Sequence, residues 1–96
     1  MVQPSKNDEN PHSEALRRAV AHGFEQVPMP LSTMAVYERW DRPAGIVEVI
    51  SVVSDDEAKA ARWLIADYDS GEHGPRWSRQ GSPEDVINAL FETAEP

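Results

Sequence analysis

The sequence contains no cysteine, which excludes disulfides and thiolate metal centres and suits a reducing compartment. No run of about 18 apolar residues exists to cross a bilayer, and residues 1–13 have no apolar stretch of the kind that directs export. A soluble cytoplasmic protein with no membrane partner is therefore expected. Positive charge is scarce: nine Lys plus Arg stand against seventeen Asp plus Glu, a formal net charge of −8. Such a surface repels phosphate backbones, which disfavours nucleic acid as a partner. It favours solubility and, where association occurs, a basic protein partner. The three histidines are His12, His22 and His73, and no two stand at i, i+4, so zinc has no ligand set.

Calcium is served no better. Asp67-x-Asp69 has the spacing that opens an EF-hand loop, but that loop needs glycine sixth and glutamate twelfth. Here Gly71 is fifth and Ser78 is twelfth. Ser70 and Ser78 flank His73 without a strained glycine elbow around either serine. A chain of 96 residues forms one domain with a small core and little room for a water-excluding pocket. Neither a metal, a cofactor nor a self-contained active site is expected.

What the sequence does have is the stretch 44–54, AGIVEVISVVS. β-Branched residues are stiff at χ1 and suit a pleated surface. Ile46, Glu48, Ile50 and Val52 share one face, and Val47, Val49, Ser51 and Val53 the other. Both faces are mostly apolar, which predicts an interior strand near 45–53 covered on both sides. A second strand is expected near 33–40, with Met34, Val36, Glu38 and Trp40 on one face and Ala35, Tyr37 and Arg39 on the other. Asp41, Arg42, Pro43, Ala44 and Gly45 between them have turn chemistry, so the two strands form an antiparallel hairpin.

Helices are expected near 13–23, 55–69 and 83–93. The first has Ser13 as N-cap, Gly23 as stop and an apolar stripe of Ala15, Leu16, Ala19, Val20 and Phe24. Between it and the hairpin, Pro28 and Pro30 enforce an extended segment over 26–31. In the second, Ser54-Asp55-Asp56-Glu57 matches a capping box and Ala58, Lys59, Ala60, Ala61 and Arg62 are strong helix formers. The alternative for this segment is a third strand over 62–68, attractive because a two-stranded ribbon is marginal alone. The last helix is announced by Ser82-Pro83-Glu84-Asp85 and carries Val86, Ile87, Leu90 and Phe91. Residues 72–80 are expected as a loop, with at most a short strand around Trp77. Residues 1–12 are expected as a disordered tail, and 13–94 as one α+β domain in which an antiparallel hairpin or three-stranded meander packs against helices. With a third strand, the order helix, three strands, helix resembles the double-stranded RNA-binding domain in outline. Glu84 and Asp85, however, occupy the place where that family needs basic residues, and the resemblance implies nothing about function.

Two short stretches stand out for binding. Arg39-Trp40-Asp41-Arg42 lies at the hairpin turn, and Arg76-Trp77-Ser78-Arg79 lies in the later loop. Tryptophan and arginine are enriched at interface hot spots. Arg39, Trp40, Arg42, Arg76, Trp77 and Arg79 are therefore the candidate contacts of a small acidic module that binds and regulates or inhibits a protein partner. Against this, each tryptophan could turn inward to plug the core while its arginines stay wet. Two other functions are open: a ligand-binding or catalytic unit built at a homodimer interface, and a nucleic-acid binder stacking bases on the Arg-Trp loops.

Overall fold

The computed structural model describes residues 11–28, 34–54 and 56–93, with side chains from residue 14 onward. The elements in chain order are α1 (Pro11–Ala21), β1 (Glu25–Val27), β2 (Ala35–Asp41), β3 (Ile46–Ser54), β4 (Glu57–Leu64), α2 (Ile65–Ser70), β5 (Trp77–Gly81) and α3 (Pro83–Glu92). The five strands form one antiparallel sheet in the order β1-β2-β3-β4-β5. This is an α+β fold, a meander with helices packed on it. The expectations for residues 1–10, 29–33 and 94–96 lie outside the described residues.

β3 is the centre of the sheet, as its doubly apolar sequence requires. It pairs with β2 on one edge and β4 on the other, in rows such as Tyr37–Ile50–Ala60 and Trp40–Val47–Trp63. The β2–β3 hairpin turns through residues 42–45. There Gly45 takes φ +74°, a left-handed conformation that residues with a Cβ rarely adopt, and donates its N–H to the Arg42 carbonyl at 3.0 Å.

Two expectations are corrected. α1 begins at Pro11 rather than after a cap at Ser13, so it takes in the end of the expected tail; proline suits the first turn of a helix. The helix expected over residues 55–69 is instead strand β4, over Glu57–Leu64, followed by the six-residue helix α2. Ser54 caps no helix: its hydroxyl donates to the Asp56 carboxylate at 2.9 Å within the β3–β4 turn. Propensity lost to pairing, because β3 has a second edge whose backbone groups need partners. The alanines serve packing instead. Ala58 and Ala60 face the helices and are 3% and 0% exposed, and a larger side chain there would hold the helical layer off the sheet. The alternative third strand, over 62–68, lies a few residues later than β4 does. Gly71 does end a helix, as C-cap of α2 with φ 72°. A fifth strand, β5, occupies the segment around Trp77.

α1 and α3 cover one face of the sheet. Ala15, Ala19, Phe24, Ile50, Ala58, Ala60, Val86, Ile87 and Leu90 form the core between the two layers. α3 is built as its sequence dictates. Ser82 Oγ accepts the Asp85 N–H at 3.1 Å, Pro83 opens the helix, and Val86, Ile87 and Leu90 are buried. Full burial of each such side chain is worth roughly 1.5–3 kcal/mol. On α1 the apolar stripe is narrower than expected, because Val20 stays 51% exposed. No helix among the described residues is long and apolar enough to cross a membrane.

Candidate protein-binding face

Among the described residues, α1 and α3 leave the other face of the sheet to α2. Strand alternation sends Val36, Glu38 and Trp40 of β2 to that face, with Val47, Val49 and Ser51 of β3 and Lys59, Ala61 and Trp63 of β4. Trp40 and Trp63 flank Val47 in one row. The short helix α2 returns over this row because the Ile65 N–H donates to the Gly45 carbonyl at 2.9 Å. It delivers Tyr68 against both tryptophans, with ring centroids 5.6 Å from Trp40 and 5.5 Å from Trp63, both edge-on. Such pairs are worth about 0.5–1.5 kcal/mol each beyond area burial. Val47 lies fully buried in this row, whereas the three rings remain partly exposed.

Glu38 fixes the cluster's geometry. Its Oε1 accepts the Trp40 indole N–H at 2.9 Å, and its Oε2 accepts the Tyr68 hydroxyl at 2.9 Å. Burial, then the bond to Glu38 and the charges of Glu38 and Asp69, push the Tyr68 pKa up, so the phenol holds its proton. The Arg42 guanidinium lies over the Trp40 ring at 4.8 Å, a cation–π contact worth about 0.5–1 kcal/mol where exposed. Beside the cluster runs a groove of about 180 Å³ lined by Val49, Ser51, Lys59, Ala61, Trp63 and Tyr68.

The six residues singled out from the sequence do not form one surface. Arg39 points to the helix side. Its Nε and Nη2 donate to Glu48 Oε1 at 2.8 and 2.6 Å, its Nη1 donates to the His22 carbonyl at 2.8 Å, and its guanidinium lies over Phe24. Trp40 and Arg42 belong to the aromatic cluster on the opposite face. Trp77 is on the helix side of β5, packed against the core beside the Arg62 guanidinium. Arg79 pairs with Asp85 at 3.3 Å, and Arg76 is exposed in the loop. Trp77 thus does plug the core while its arginines stay wet, whereas Trp40 stays part of an outer surface. Trp63, Tyr68 and Glu38 are not among the residues that the sequence singles out. Once β4 is a strand, its register sets Trp63 beside Val47 and Trp40, while Tyr68 and Glu38 join them only through the return of α2.

His73 Nδ1 lies 3.1 Å from Asp67 Oδ1 in an exposed turn. Among the described residues no three His, Cys, Asp or Glu side chains gather where a metal could sit. Comparison with protein families, with curated proteins and with solved structures finds no match to this chain.

Proposed function

We propose that this protein is a small non-enzymatic interaction module that docks a protein partner on its helix-poor sheet face and regulates or inhibits that partner by covering it. The observation that carries the proposal is the Trp40–Tyr68–Trp63 cluster with its Glu38 clasp. An antiparallel sheet with helices on one side ordinarily turns polar residues outward on the other. Here Val36, Trp40, Val49, Trp63 and Tyr68, all partly exposed, stand among Glu38, Ser51 and Lys59 on that face, and partly exposed apolar surface of this kind marks interaction sites. Hydrogen bonds and ring contacts hold the aromatic side chains in place before binding, which lowers the entropy lost on association. The net charge of −8 steers a basic partner towards the surface.

Affinity capture from the native cell tests this, using the parent and Trp63→Ala side by side. A partner enriched by the parent and lost by the variant, with both proteins folded by circular dichroism, is the expected result. Capture of nothing above background, or of a partner indifferent to Trp63, counts against it. A second function, a ligand-binding or catalytic unit made by two copies, draws support from β5, which forms one edge of the sheet. Sedimentation at the 10.7 kDa mass of one chain would leave no interface in which to build such a unit.

A further inference from the structure

The groove beside the aromatic cluster has a definite electrostatic setting. One row crosses the whole sheet on this face, with Glu25, Glu38, Val49, Ala61 and Ser78 each supplied by a different strand. Val49 and Ala61 form the floor of the groove, between a bank of Trp63 and Tyr68 and a bank of Ser51 and Lys59. Towards β1 the row meets two carboxylates, because Glu25 and Glu38 stand directly opposite each other. Like charges in such a cross-strand pair repel and cost stability. Glu38 accepts hydrogen bonds from neutral donors, the Trp40 indole and the Tyr68 hydroxyl, and neither bond cancels its charge. Among the described residues no ion pair joins Glu25 or Glu38 to a cation. The basic side chains on this face are otherwise placed. Arg42 lies over the Trp40 ring, and Lys59 has Glu57 two positions along the same strand and on the same face.

We propose that the groove seats one apolar side chain of a basic peptide segment, and that an Arg or Lys two positions from this anchor meets Glu25 and Glu38. The inference rests on the docking face proposed above and names the chemistry of what docks there. A floor of Val49 and Ala61 beside two aromatic rings suits an apolar anchor. At about 180 Å³ the groove is smaller than the roughly 300–1,000 Å³ usual for whole small-molecule ligands, and it suits a single side chain. From the Val49–Ala61 floor to the Glu25–Glu38 pair is two inter-strand spacings, about 10 Å. Alternate residues of an extended segment lie about 7 Å apart, and a long basic side chain spans the rest. The incoming cation relieves the repulsion that the free protein bears between Glu25 and Glu38, whereas an acidic segment adds to it.

The test is a titration of the full ¹⁵N-labelled chain with three heptapeptide amides. The first has leucine at its centre, arginine two positions to each side and alanine elsewhere. The second has glutamate in place of arginine, and the third has glycine in place of leucine. Saturable shifts at the Val49 and Ala61 amides and the Trp63 indole are expected with the first, and affinity about tenfold weaker with each of the others. Raising sodium chloride from about 50 to about 500 mM should weaken the arginine peptide about threefold. Glu25→Gln should weaken it about threefold as well. That variant loses the repulsion with Glu38, so it should be at least as stable as the parent, and its weaker binding is then no folding defect. A glutamate peptide bound at these amides as tightly as the arginine peptide, or an arginine peptide indifferent to Glu25→Gln, would overturn the basic partner and leave the docking face standing. No saturable shift with any of the three would also overturn it, and the docking face is then judged by the Trp63→Ala capture.

Discussion

Replacing Glu48 by Gln is the sharpest perturbation of the fold. The side chain keeps its shape but loses its charge, and its amide nitrogen is a donor where one of two arginines needs an acceptor. Glu48 and Arg62 side chains are 11% and 4% exposed, and Arg39 is 31% exposed. Breaking a buried pair by removing one partner costs about 3–5 kcal/mol, because the remaining charge stays dehydrated. Arg39 is open enough to regain water, whereas Arg62 is not, so a loss near the lower end, about 3 kcal/mol, is expected. Domains of this size hold roughly 5–15 kcal/mol in total, so the variant stays folded in water. With a urea slope near 1.5 kcal/mol/M, the unfolding midpoint should fall by about 2 M. Urea titration followed by far-ultraviolet circular dichroism and by tryptophan fluorescence measures it. A loss below about 1 kcal/mol at unchanged slope would refute the view that Glu48 neutralises the buried arginines. A triple variant, Arg39→Met with Glu48→Leu and Arg62→Met, removes every charge and should recover part of the loss. Recovery stays incomplete because Arg39 and Arg62 also bond the His22 and Leu90 carbonyls at the ends of α1 and α3.

Three further outcomes are expected. Ser82→Ala removes the acceptor of the Asp85 N–H and should cost about 1 kcal/mol, seen as a drop of roughly 4–8 °C in Tm. Ala60→Val, at a position with no exposed surface, should destabilise by about 1–3 kcal/mol through overpacking against the helical layer, despite valine's preference for strands. Denaturant titration that finds the variant as stable as the parent would show that the layers can separate at no cost. The Tyr68 phenol, whose folded pKa is raised above the ordinary value, adds stability that is complete below pH of about 10 and is lost as pH rises through the folded pKa. Tyr68→Phe should flatten that alkaline decline. Absorbance titration of the phenolate in the parent should find Tyr68 ionising later than an exposed tyrosine.

Much of this architecture is legible in the residues. The doubly apolar run of β3 announces a central strand, the turn chemistry ending in Gly45 announces the hairpin, and Ser82-Pro83-Glu84-Asp85 announces α3. β4 was not legible, because AKAAR has the composition of a helix and its alanines serve instead to let helices approach the sheet. The candidate site followed the same division. Trp40 stands out for its arginine neighbours, but its partners Trp63 and Tyr68 are 23 and 28 residues further along the chain and become visible only with the register of β4 and the return of α2. Trp77 has the same local composition as Trp40 and lies on the opposite side, because neither segment encodes which side the helices cover.

The meander order places every strand beside its sequence neighbour, so the sheet assembles by a series of short loop closures, each with a small entropic cost. Docking of α1 onto α3 is different, since it joins the two ends of the described chain through contacts such as Arg18 with Asn88 and with Phe91. That closure spans most of the described chain, so it is expected to form late and to reverse first. Partial unfolding that lifts α1 while β2, β3 and β4 stay paired would expose Phe24 and the Arg39 guanidinium without global denaturation. Hydrogen exchange should accordingly find the β3 amides opening only with the whole molecule and those of α1 opening at a lower free energy.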